Sequence, residues 1–184
     1  TREISYHVIL VGEHQSSRAV TAKLLRYGIS TYVYIGDPLA QTLGPPAELG
    51  LSFGTPLEFA ASTMFDTICA GKEPKVLILA GIVAMPAALD ELPLRHVVPA
   101  EVLVINQLRQ LFCANGTSTK FILEGRPAAP KVIRSISRHV GTRALILNDA
   151  DTTQFKRVRY FWSDSEWLTL PGETVDVGPI ATCV

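Results

Sequence analysis

The chain has no excess of charge, no paired cysteines and no apolar run long enough to cross a bilayer, and each shortage removes a class of function. Seventeen basic and seventeen acidic residues cancel, so no global field draws the chain to nucleic acid or an anionic membrane, and recognition must be local. The three cysteines, Cys69, Cys113 and Cys183, form no CxxC pair, and His7, His14, His96 and His139 show no metal-ligand spacing. A structural zinc site is therefore not expected, and the chain as a whole is expected to call for no metal and no cofactor. The odd cysteine number and the lack of a secretory signal point to a reducing, cytoplasmic location. The longest apolar runs are of strand length, far below the ~20 residues that span a bilayer, so no membrane contact is expected. The sequence begins at Thr1 rather than Met, as a piece of a longer protein would. GxSxG, P-loop and HExxH patterns are missing, as is a Cys with an evident His partner, so the expectation is a protein that is not an enzyme.

What the chain does have is core. At 184 residues and 47% hydrophobic content it is large and apolar enough for one domain, or one domain plus an appendage. Short β-branched runs alternate with amphipathic segments, the rhythm of a parallel sheet covered by helices on both faces. Strands are expected at residues 7–11, 31–35, 75–80, 101–105 and 120–123, each nearly continuous in apolar residues and so buried on both sides. Helical spacing is read at 17–27, 56–70, 86–92, 107–114 and 130–140, with Gly28, Gly71 and Gly116 placed to end three of them. Residues 36–54 are rich in Gly and Pro and read as a long connection.

The corner "HVILVGEHQSSRAV" raises the question of chemistry. A dinucleotide fingerprint needs Gly at its first, third and sixth positions. Gly12 supplies the first, while His14 and Ser17 occupy the others. Asp37, after the second strand, lies where a ribose-binding carboxylate could sit. Gly12 and Asp37 thus define one alternative, a Rossmann-like nucleotide- or dinucleotide-binding regulatory domain. The other alternative is an ordinary strand-loop-helix turn.

A wider likeness runs over residues 5–140. "VILVGEHQSSRAVTAKLLRYGI", "KVLILAGIVAMP" and "FILEGRPAAPKVIRSISRHV" resemble, in order and spacing, the first, third and fifth strand units of the response-regulator receiver family. The resemblance implies a flavodoxin-like fold and a pocket of an acidic pair for Mg²⁺, an Asp nucleophile, a hydroxyl and a Lys. Gly12 and Glu13 stand at the acidic pair, and Gly81 lies in a stretch, 75–86, that holds no Asp or Glu at all. Asn106 matches the hydroxyl and Arg126 the Lys. The nucleophile is missing, so the resemblance implies a degenerate receiver that cannot take a phosphoryl group, of the kind found in hybrid histidine kinases. Its expected partners are a kinase core or another receiver domain. Glu13 and Arg126 facing each other across the vacated pocket would form an ion pair.

After Gly141 the pattern changes. Phe155, Arg157, Arg159 and Phe161 alternate with Lys156, Val158, Tyr160 and Trp162 ahead of an "SDSE" turn, which reads as a β-hairpin. Such a mixture suits a single-strand nucleic-acid platform, a protein interface, or a hairpin packing its aromatic side on the main domain. Zero net charge places nucleic acid below the protein interface. The combined expectation is a doubly wound α/β domain at 1–141, five parallel strands in the order 2-1-3-4-5, with a β-rich extension at 142–184. Its function would be that of a non-catalytic regulatory or protein-interaction module.

Overall fold

A computed structural model describes residues 6–12, 29–36, 50–72, 75–82, 85, 98–148, 158–164 and 173–174. Its strands are β1 (Tyr6–Val11), β2 (Ile29–Ile35), β3 (Gly50–Phe53), β4 (Val76–Gly81), β5 (Thr119–Gly125), β6 (Leu145–Asn148), β7 (Val158–Ser163) and β8 (Glu173–Thr174). Four helices are described: α1 (Pro56–Ala60), α2 (Thr63–Cys69), α3 (Ala100–Ala114) and α4 (Pro130–Val140). All eight strands join one sheet in the order β3-β2-β1-β4-β5-β7-β6-β8. The protein is therefore α/β with a mostly parallel sheet. β3, β2, β1, β4 and β5 run parallel, while β7 is antiparallel to both β5 and β6. β6 consequently points the same way as β5.

Two expectations about strands need correction. Residues 101–105 are not a strand: they open α3, continuous from Ala100 to Ala114. Val102, Ile105, Leu108 and Phe112 are fully buried, whereas Leu103 is 55% exposed, and that repeat is helical rather than two-sided. A run such as "VLVI" satisfies both patterns when read alone. The second correction lies inside the connection at 36–54, where Gly50–Phe53 forms β3 and pairs with β2 from Tyr32↔Gly50 to Ile35↔Phe53. A short edge strand tolerates Gly, so composition concealed it. With 101–105 removed and 50–53 added, the parallel half runs 3-2-1-4-5, the leading part of the order found in dinucleotide-binding α/β domains, in place of 2-1-3-4-5.

The segment at 56–70 is two helices rather than one. Thr55 caps α1 by accepting from the Glu58 N–H at 3.2 Å, and Ser62 caps α2 by accepting from the Phe65 N–H at 3.3 Å. Each cap satisfies a donor that the helix start leaves free, and the second cap breaks an otherwise continuous apolar period. α4 ends at Gly141, whose φ of 76° places it in the left-handed region; this is the usual reason for Gly after a helix. The expected helices at 17–27 and 86–92 lie outside the described residues.

One sheet face carries Ile9, Val33, Ile78, Phe121 and Leu123 against Phe59, Phe65, Leu108, Phe112, Ile133 and Ile136 from the helices. Phe59 sits 5.3 Å from Phe65 and 6.0 Å from Phe112, ring centre to ring centre, so aromatic packing ties α1, α2 and α3 together. Val8, Leu10, Tyr34, Leu77 and Leu79 form a second buried cluster on the opposite face. Every residue of β4 is buried, as expected of a central parallel strand.

The extension after Gly141 becomes sheet edge. β7 pairs with β5 from Ile122↔Ser163 to Gly125↔Tyr160, and Trp162 is wholly buried, its indole N–H donating to Ser137 Oγ at 2.9 Å. Where the ladder stops, side chains replace it: Phe121 N–H donates to Asp164 Oδ1 at 2.9 Å, and Ser163 Oγ donates to Phe121 O at 2.6 Å. Of the aromatic residues that suggested a stacking platform, Trp162 and Tyr160 are engaged in packing, with Tyr160 stacked on Trp162 at 6.3 Å. Residues 155–157 lie outside the described residues. Among the described residues, no helix is long and apolar enough to cross a membrane.

His7 is half-buried on β1, and desolvation lowers its pKa below the usual 6.5. Below pH 6.5 the unfolded chain takes up a proton that the folded chain resists, so this contribution to stability is intact above 6.5 and is lost as the pH falls toward the lowered value. Melting curves at pH 7.5 and 5.5 should show a larger loss in the parent chain than in His7→Gln. Equal losses would remove His7 as a source.

Candidate functional site

In an open parallel sheet, ligands bind beyond the carboxyl ends of the strands, at the point where the strand order reverses. Here that point lies between β1 and β4. Val11 is level with Ile35 and Ala80, Ile35 with Phe53, and Gly81 with Glu124. Gly54, Gly36, Gly12 and Gly81 therefore end four adjacent parallel strands at one level. Two backbone bonds hold the row: Gly12 N–H to Ile35 O at 3.3 Å and Gly36 N–H to Phe53 O at 2.9 Å. Gly12 has φ of 69°, a turn that a residue with a Cβ adopts only at a cost.

The chain's own side chains crowd two glycines of this row, Gly36 and Gly54. A Cβ on Gly36 would lie 3.0 Å from the Tyr34 hydroxyl, and one on Gly54 would lie 3.1 Å from Glu58 Oε2, which also accepts the Gly54 N–H at 3.0 Å. Beside Gly12, Glu101 brings its Cγ to 3.7 Å and its Oε1 to 4.0 Å from the Cβ position, next to Gly81 O at 3.9 Å. The first turn of α3 thus delivers a carboxylate to the crevice between β1 and β4. One strand further on, the buried Glu124 carboxylate meets Arg159 Nη1 of β7 at 3.3 Å. That pair crosses from the parallel half of the sheet to its antiparallel edge.

Of the residues expected to share a pocket, Gly12 and Gly81 do come together, at the ends of neighbouring strands. Asn106 does not join them. It sits midway along α3, with Nδ2 donating to His139 O at 2.7 Å, and so satisfies the carboxyl end of α4. Its displacement follows from the strand at 101–105 being a helix. Arg126 lies just past β5, exposed. Glu13 and Asp37, and with them the Glu13–Arg126 ion pair, lie outside the described residues. Among the described residues no group of three or more His, Cys, Asp or Glu side chains is placed to hold a metal.

Glu101, Tyr34, Glu58 and the Glu124–Arg159 pair were not singled out from the sequence. Glu124 alone carried a usable signal, since a lone acid within "FILEG" calls for a partner if the strand is buried. A scan against protein-family models and a search of curated proteins find no match for the chain.

Proposed function

We propose that the chain is a non-catalytic α/β module that works through protein contacts, its carboxyl-edge crevice serving as scaffold rather than as a ligand site. The observation that carries this reading is the crowding of that edge. Tyr34 and Glu58 stand 3.0 and 3.1 Å from where a Cβ on Gly36 and Gly54 would lie, and the Glu101 carboxylate comes into van der Waals range of the Cβ position at Gly12, where a pyrophosphate would have to approach. A carboxylate there opposes a phosphate both by bulk and by charge. His14 and Ser17 in place of the second and third Gly support the same conclusion. In the receiver-type version of this reading the partners are a kinase core or another receiver domain of a two-component system. Its support is the likeness of the first, third and fifth strand units to the receiver family, and the run from Lys75 to Pro86, which has no carboxylate to accept a phosphoryl group, makes that version a non-phosphorylated one.

The second reading, a nucleotide-binding regulatory domain, is favoured by the 3-2-1-4-5 order and the positive φ of Gly12. Thermal melts with NAD, NADP, ATP and cyclic nucleotides separate the two. A ligand at a hundred times its Kd adds about 2.7 kcal/mol, so the expected result is an unchanged melting temperature with all of them, and an upward shift with any one would establish the second reading. Acetyl phosphate or beryllofluoride with Mg²⁺ is likewise expected to leave the protein's mass and fluorescence unaltered.

A further inference from the structure

We propose that the outer face of α4 is a docking surface for a carboxylate-rich helix of a partner protein; this names the partner chemistry of the contact module proposed above and rests on that reading. Residues 126–143 carry Arg126, Lys131, Arg134, Arg138 and Arg143 and not one Asp or Glu. Because the whole chain is neutral, the remainder is net acidic, and this stretch stands out as basic without any acid to offset it.

The helix turns that concentration into a stripe. Lys131, Arg134 and Arg138 stand at i, i+3 and i+7, within one narrow sector of the helix, and all three are exposed. Val132, Ile133, Ile136 and Val140 face the core instead. At 1.5 Å per residue the three cations span about 10 Å along the axis. Arg126 before the helix and Arg143 after it are also exposed. Among the described residues, none of Arg126, Arg134, Arg138 and Arg143 is in an ion pair, so their guanidinium forks remain available to a partner.

Two features select protein among the anionic partners. Residues 126–143 hold no Phe, Tyr or Trp, so the basic stripe does not itself carry the rings on which single-stranded nucleic acid stacks. The apolar side of α4 is committed to the core, so the helix has no face to insert into a membrane. Arg134 and Arg138, about 6 Å apart along the axis, match carboxylates at i and i+4 of a facing helix, which guanidinium groups bind bidentately.

The test is fluorescence anisotropy of a labelled helical peptide with Glu at i, i+4 positions on one face, titrated with the 184-residue chain at low and high salt. A Gln-for-Glu peptide, a single-stranded oligonucleotide and phosphatidylserine vesicles serve as competitors. Binding of the Glu peptide is expected, lost at high salt and weakened at least ~10-fold by Arg134→Glu with Arg138→Glu. Lys72→Glu, an exposed cation outside the stripe, should leave it unchanged. If the reversed pair does not fold, Arg134→Gln with Arg138→Gln replaces it. Failure of the Glu peptide to bind, equal weakening by Lys72→Glu, or tighter binding of oligonucleotide or vesicle would each overturn the proposal. None of these outcomes bears on the nucleotide melts, so the two readings fail separately.

Discussion

Trp162→Ala should destabilise the protein by about 3–5 kcal/mol, measured as the drop in unfolding free energy from urea titrations. The side chain is wholly buried and its indole N–H donates to Ser137 Oγ at 2.9 Å, so truncation leaves both a cavity and a lost bond. Ser137 Oγ retains its own donation to Ile133 O at 2.9 Å, which limits the polar part of the loss. Trp162→Phe, keeping most of the ring, should lose about 1–3 kcal/mol. The effect is large against a total stability of about 5–15 kcal/mol. It carries a further implication: a loss below about 1 kcal/mol would mean that β7 is an ornament on a core that stands without it.

Arg109→Ala should cost about 2–4 kcal/mol, because the guanidinium serves several groups at once. Nη1 donates to Val140 O at 2.9 Å, the last carbonyl of α4, and lies 3.5 Å from Asn106 Oδ1. The same group sits 4.7 Å over the Phe121 ring. Asp164 is nearer the margin, at 4.0 Å from Nη2, and a partly exposed pair at that distance contributes little. A double-mutant cycle of Arg109→Ala with Asp164→Asn should therefore give a coupling under about 1 kcal/mol. Stronger coupling would show that the ion pair, rather than the hydrogen bond to α4 and the ring contact, holds this corner.

Both predictions concern the joint between the main sheet and the residues after Gly141, where reading the chain one segment at a time was least informative. The alternation from Val158 to Trp162 was legible as a strand. Its destination was not, because an alternation of aromatic and basic residues suits a packed hairpin, a protein interface and a nucleic-acid platform alike in local pattern. The choice depends on whether β5 offers a free edge and a carboxylate. Phe121 and Ser163 supply the edge contacts, and Glu124 receives Arg159. The two partners that β5 supplies, Phe121 and Glu124, both lie more than twenty residues from β7.

The candidate site divides in the same way. Gly12 at the end of an apolar strand was visible as a corner, and the acid-free exit from β4 was visible as missing chemistry. Placing Asn106 in the pocket failed because a four-residue apolar run has no period long enough to separate strand from helix. Glu101 became a crevice residue only once α3 was seen to begin at Ala100.

Local pattern therefore determined the α/β class, the apolar strands that cross the core and the capped or glycine-ended helices, because each depends on side chains a few residues apart. The tertiary structure decided the strand order, the insertion of β7 between β5 and β6 and the crowding at Gly36 and Gly54. Those depend on register between strands distant in sequence. Register sets which side chains share a level, and only at that level do Gly12, Gly36, Gly54 and Gly81 become neighbours.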